Sequence, residues 1–237
     1  MNITETHLGY EIQHGPFRVL FGGVEAQHAN LEKAYPQVQF ARIKQIHSDK
    51  VVTTDAVLPQ SDWQIADAHI SKKANLGLCI STADCVPLMI YDHKTKWMGS
   101  IHAGWRGVAT KIISNTIAAL VNEGCKPQDL EVFVGPHIQK NSFEVGNDVR
   151  DQILSSINFA ASDEESLFHQ KLSAEKSLVD IHQVVKEQLI QNQIPNDQVH
   201  ALFIDTFTDK RFHSHRRDKE KAGRQLSACF FLTTDLR

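Results

Sequence analysis

Only four cysteines occur in 237 residues, Cys79, Cys85, Cys125 and Cys229, and they stand singly along the chain. That scatter excludes a disulfide framework of the kind that staples small secreted domains, and it points to a reducing compartment in which any special cysteine is a ligand or a nucleophile. Long apolar runs are also missing. No stretch approaches the ~18 apolar residues that would span a bilayer, and MNITETHLGYEIQHG lacks the basic region and apolar core of an export signal. Membrane partners are therefore excluded and the cytoplasm is expected. An excess of either charge is missing too: the formal net charge is -3, so there is no long-range field toward nucleic acid or anionic lipid, although local basic patches remain open. Neither repeats nor Pro/Gly/Ser-rich linkers divide the chain, and residues 1–237 read as one domain.

What is present is enough apolar residue, 41%, for a sizeable core. Strand-like runs rich in Val, Ile and Phe lie near 17–24, 38–46, 76–82, 86–91, 97–102, 130–135, 199–205 and 227–232. The clearest helix follows HAGWRG, with Val108, Ile112, Ile113, Ile117, Leu120 and Val121 at helical spacing and Gly124 as a stop. A second is predicted over 174–192, with Leu178, Ile181, Val185 and Leu189 on one stripe, and a third over 147–157. The polar stretch 160–177 reads as an exposed loop. Hairpin-like strand pairs with isolated helices predict an α+β domain with a mixed sheet.

Three segments share a form, an apolar run ending in polar residues: ARIKQIHSDK (41–50), LCISTADCVP (78–87) and WMGSIHAGWRG (97–107). Thiolate sulfur with imidazole nitrogen suits zinc, and a catalytic zinc keeps three protein ligands and one position open to water. His47, Cys85 and His102 would make such a set. Their spacing matches no zinc finger, and a buried cysteine is more often an inert small hydrophobe, so the residues alone leave a metal site and plain core positions both open. Asp84 beside Cys85 adds weight to a site, because period-two alternation would send the pair to opposite faces and leave one of them in an unusual environment.

Gly104 and Gly107 flank the entry to the first helix, where free N–H groups favour an anion and Arg106 could assist. The same glycines suit a tight turn equally well. Gly135-Pro136 marks another turn, which would aim His137 at a pocket or at water. Further on, FHSHRRDKEKAGR (212–224) concentrates Arg216, Arg217, Lys219, Lys221 and Arg224. Such a run is ordinarily a solvated face, whereas paired arginines bind phosphate bidentately.

Taken in order, QIHSDKV, STADCVPLMIYD, GSIHAGWRGV, VGPHIQKNSFEVG and SHRRDKEKAGRQ resemble the segments of the laccase-domain proteins. These are historically called multicopper polyphenol oxidases and are described as purine nucleoside phosphorylases with adenosine deaminase activity. The resemblance covers roughly residues 15–237 and implies a mixed α/β/β/α sandwich. It also implies a zinc held by the histidine of the QxH segment, the cysteine of TADC and the histidine of HAGW, here His47, Cys85 and His102. Two departures bear on the substrate: fewer residues join the early GG motif to the QxH segment, and Asp205-Thr206 stands where the family often has Cys-Thr.

On that reading zinc lowers the pKa of a water to ~7 for attack on C6 of adenosine, with Asp84 passing a proton to the departing ammonia. In phosphorolysis, phosphate attacks the ribose carbon and needs positioning by Arg216, Arg217, Arg106 and the helix terminus. Lys44 and Gln45 would touch substrate or support His47. The partners are then a purine nucleoside and phosphate, with the oligomeric state unread. Three alternatives stay open: a copper phenol oxidase with Met89 or Met98 as axial ligand; a hydrolase of a cell-wall precursor with Cys85 as nucleophile, His102 as base and an acid as orienter; and a non-catalytic module whose structural zinc takes Cys79 as fourth ligand.

Overall fold

Alternation along the strands sends side chains to two faces, and this chain buries both. In the computed structural model, which describes residues 1–158 and 165–233, two six-stranded sheets pack face to face. The first has the strand order 2–6, 9–14, 17–22, 225–231, 76–82, 39–42, and the second 199–201, 130–134, 86–92, 98–103, 68–71, 51–53. Neighbours are antiparallel except where 39–42 joins 76–82, 51–53 joins 68–71 and 199–201 joins 130–134.

Phe17, Val19 and Phe21 of the first sheet meet Met89, Tyr91, Met98 and Phe133 of the second in one buried cluster, and Phe17 stacks on Tyr91 with ring centroids 4.4 Å apart. The alternate residues Leu20, Cys79, Leu226 and Phe230 turn outward and pack on Leu31 of the helix His28–Ala34. On the far side Leu88, Ile90 and Ile101 pack on helix Ile112–Asn122 through Ile113 and Ile117, and on helix Ile181–Gln191 through Val185 and Leu189. Each such side chain contributes roughly 1.5–3 kcal/mol when fully buried. The layers run helix, sheet, sheet, helix, which is the expected α+β sandwich.

Local elements depart from the sequence pattern where capping and edge pairing override apolar spacing. The helix after HAGWRG divides into Trp105–Ala109 and Ile112–Asn122, because Lys111 turns left-handed at φ 67° and the Thr110 hydroxyl donates back to the Arg106 carbonyl at 3.0 Å. The predicted helix 174–192 begins only at Ile181, where the Asp180 side chain caps it by accepting from the Gln183 N–H at 3.1 Å. Leu178 belongs instead to the strand Lys176–Val179, the centre of a three-stranded sheet with Glu144–Gly146 and His169–Lys171. The supposed loop 160–177 is thus a helix, Glu165–Phe168, followed by a hairpin; its residues 160–164 lie outside the described ones. The third helix is shorter than predicted, Asn147–Leu154, and the strand predicted over 199–205 stops at Ala201. Among the described residues no helix is long and apolar enough to cross a membrane.

Candidate functional site

Three segments each deliver one side chain to the same end of the sandwich. His47 lies on the loop after strand 39–42, Cys85 closes the turn between 76–82 and 86–92, and His102 sits in strand 98–103. Their donor atoms all lie within 4.8 Å of one another, and among the described residues no other such group forms. Cys85 Sγ is 3.9 Å from His47 Nε2, and the two imidazoles meet edge to face with centroids 4.8 Å apart. The triad read from the sequence is therefore brought together.

Gly104 makes room for it. A β-carbon there would stand 2.7 Å from His47 Cδ2 and 3.2 Å from Cys85 Sγ. The glycine of HAGW thus clears space for the donors, and the five-residue helix that follows offers no anion site of its own.

Sequence reasoning missed Asp67. Its buried carboxylate accepts from His102 Nδ1 at 2.8 Å and from the His47 N–H at 2.9 Å. Burial alone would raise its pKa, but hydrogen bonds from His102 and Ser48 hold it well below the usual carboxylate range. Burial would likewise raise the Cys85 thiol, yet the His102 imidazolium and hydrogen bonds from His102 and His47 bring it down to about 6. His102 moves the opposite way: burial would lower it, and the Cys85 thiolate together with Asp67 lifts it to about 9. Both shifts favour the charged forms, and a thiolate is what ligation or nucleophilic attack requires.

Above the triad opens a cavity of about 1130 Å³. Its walls carry Arg42, Lys44, Arg106, Lys176, Arg216, Lys219 and Arg224 against the carboxylates Asp84 and Glu144. Arg42 lies over the Trp63 ring and Arg106 over the Trp105 ring, at 4.6 and 4.4 Å from the centroids. A chain of net charge -3 therefore builds a locally cationic chamber with aromatic walls. The run 212–224 contributes His215, Arg216, Lys219 and Arg224 to it instead of forming only a solvated face.

Lys44, Gln45, Asp84, Arg106 and Arg216 line the cavity; His137 and Arg217 do not. Gln45 spends its amide on Ser81, donating to that carbonyl and accepting from that N–H, each at 2.8 Å. Asp84 sits in the turn at φ 82°, not on a strand, so alternation does not separate it from Cys85 and both side chains reach the cavity. Its oxygens accept from the Thr206 hydroxyl at 2.7 Å and the Arg216 N–H at 2.6 Å, while the Arg216 guanidinium donates to the Glu144 carbonyl at 2.7 Å.

His137 is fully buried, bonded through Nδ1 to the Gly135 carbonyl at 2.7 Å and stacked on His182. Arg217 donates to the carbonyls of Thr206, Phe207 and Phe212 and so braces the loop beneath the cationic run. Asp205 accepts from Ser142 Oγ at 2.6 Å and from the Phe207 N–H at 3.1 Å. Met89 and Met98 lie between the sheets, and Cys79 packs in the outer core.

Residues 23–231 match the family described as multi-copper polyphenol oxidoreductase laccase. A purine nucleoside phosphorylase of Bacteroides thetaiotaomicron is 34% identical over 163 residues, 68% of this chain and 59% of that protein, so this chain spans less than two thirds of that relative's length. One from Pseudomonas aeruginosa is 31% identical over 186 residues, 78% of this chain and 71% of its own. The fold is similar to the crystal structure of the hypothetical protein YfiH of Bacillus licheniformis, with TM-score 0.75, 24% identity, and 92% of this chain and 91% of that one covered.

Proposed function

We propose, for a chain that belongs to the multi-copper polyphenol oxidoreductase laccase family, a zinc-dependent, cytoplasmic purine nucleoside phosphorylase that also deaminates adenosine. The convergence of His47, Cys85 and His102 under a cation-lined cavity carries this reading. The donors fit a zinc ion: two imidazoles, one ionised sulfur, and space that a side chain at Gly104 would fill. When bound, zinc would supply Lewis acidity and a lowered pKa for water.

The protein's own groups account for the rest. Arg216, Arg106 and Lys44 supply positive charge for phosphate and for the ribosyl oxygens as the base departs. Trp63, Trp105 and Phe143 offer flat apolar surface to a purine. Asp84 lines the cavity, holds Arg216 in place through its backbone N–H, and is the candidate to pass a proton to departing ammonia.

Copper oxidation is less well supported, because Met89 and Met98 lie in the core between the sheets, where neither serves as an axial ligand. Among the described residues a structural zinc finds no fourth donor, since Cys79 packs on the outer face of the first sheet. One observation favours a second reading, a cysteine hydrolase: Asp67, His102 and Cys85 form a chain of acid, imidazole and thiolate.

Pure protein incubated with adenosine or inosine and phosphate should release free base and ribose-1-phosphate, and ammonia from adenosine, measured by chromatography. Zinc should be found by elemental analysis in wild type and lost in Cys85→Ala. Turnover undiminished in Cys85→Ala would reject the proposal. Rapid alkylation of Cys85 by iodoacetamide without a chelator would move the assignment to the hydrolase.

A further inference from the structure

We infer that Asp67 is the positioning residue that assembles two of the three donors, an inference that rests on the metal-site reading above. Five donors converge on this one carboxylate, which is fully buried. Oδ1 accepts from the His102 ring at 2.8 Å and the His47 N–H at 2.9 Å. Oδ2 accepts from the N–H groups of Ile46 at 3.1 Å and Ser48 at 2.6 Å and from the Ser48 hydroxyl at 2.7 Å. The Asp67 backbone repeats both links, donating to the Lys50 carbonyl at 3.0 Å and accepting from the His102 N–H at 2.8 Å.

Three consecutive N–H groups aimed at one anion make a nest. That nest spans His47, which stands at φ 62°, a left-handed backbone uncommon outside glycine. The bond from His102 Nδ1 to the same carboxylate keeps a proton on Nδ1 and turns Nε2 toward the cluster. One carboxylate therefore sets the rotation of one donor ring and the backbone of the other donor. Asp67 itself stands outside the donor group, so its effect on an ion is exerted through the two histidines.

The test uses Asp67→Asn, which keeps the shape but aims an amide N–H at groups that are themselves donors. Zinc affinity is read by competition with a chromogenic chelator, the Nδ1 proton of His102 by 15N NMR of metal-free protein, and the fold by circular dichroism. Expected are a roughly 10–100-fold weaker zinc affinity, loss of the Nδ1–H signature of His102, and an unchanged fold. A folded Asp67→Asn with wild-type affinity and an unchanged His102 signature would overturn the inference. Should Asp67→Asn not fold, Ser48→Ala removes one of the five donors: a smaller loss of affinity supports the inference and an unchanged affinity rejects it. If wild type binds no zinc, the metal-site reading is what fails, and the His102 signature in wild type and Asp67→Asn still decides whether Asp67 orients that ring.

Discussion

A β-carbon placed on Gly104 would lie 2.7 Å from Cδ2 of His47, well inside van der Waals contact. The N-cap glycine that ends the HAG segment and the loop donor are thus fitted to each other atom against atom. Gly104 has an ordinary φ of -70°, so alanine would be conformationally permitted, and the whole effect of Gly104→Ala should fall on the packing against His47 and Cys85.

Gly104→Ala is accordingly expected to displace the His47 ring and weaken zinc binding at least as much as loss of a supporting hydrogen bond would, roughly tenfold or more. Overpacking should lower stability by about 1–3 kcal/mol. Elemental analysis after dialysis, with thermal unfolding in parallel, checks both; full zinc retention would mean that the loop yields without cost to the site.

Arg216 and Arg217 are adjacent in sequence and opposite in use. Arg216→Ala should raise KM for phosphate about tenfold or more, the value of one charge-assisted hydrogen bond, with zinc content unchanged. Arg217→Met removes bonds to the carbonyls of Thr206, Phe207 and Phe212 and should cost about 1–3 kcal/mol of stability. Steady-state kinetics against denaturant unfolding separates the two, and equal kinetic effects from both variants would contradict the placement.

Burial holds His69 down to about 3 and His137 down to about 4. Both stay neutral in the fold and protonate near ~6.5 once unfolded, so below that pH the unfolded chain binds more protons and stability rises with pH. The contribution is complete above ~6.5 and is lost as pH falls toward 4, at roughly 1.4 kcal/mol per pH unit for each histidine. Urea unfolding at pH 7, 6 and 5 should show this slope, and His137→Gln should reduce it; a level profile in wild type would refute the assignment.

The layered architecture was legible because alternation carries it: Val19 and Phe21 face the second sheet while Leu20 between them faces the outer helix. The donors were legible because each ends an apolar run inside a recognisable motif. Asp67 was not. It precedes the strand Ala68–Ser71, and only the pairing of Ala68 with Ile101 sets it beside His102, a contact that no local pattern announces. The one available signal was an acidic residue lodged in the stretch IADAHI, which is otherwise apolar except for His69. The strands NITET and GYEIQH escaped notice because they pair at a sheet edge, where polar side chains suffice. Leu178 misled by fitting a helical stripe with Ile181 and Val185, until the cap at Asp180 fixed where that helix begins.

Strand Gln225–Phe231 lies between Phe17–Gly22 and Leu76–Thr82 and pairs with both. A ribosome must therefore release residue 231 before the first sheet can close, and until then Phe17, Phe21 and Leu78 have no finished wall behind them. Nascent chains spend most of their synthesis with an open, sticky edge in water. A chain cut short before Gln225 should consequently aggregate instead of persisting as a weakened fold.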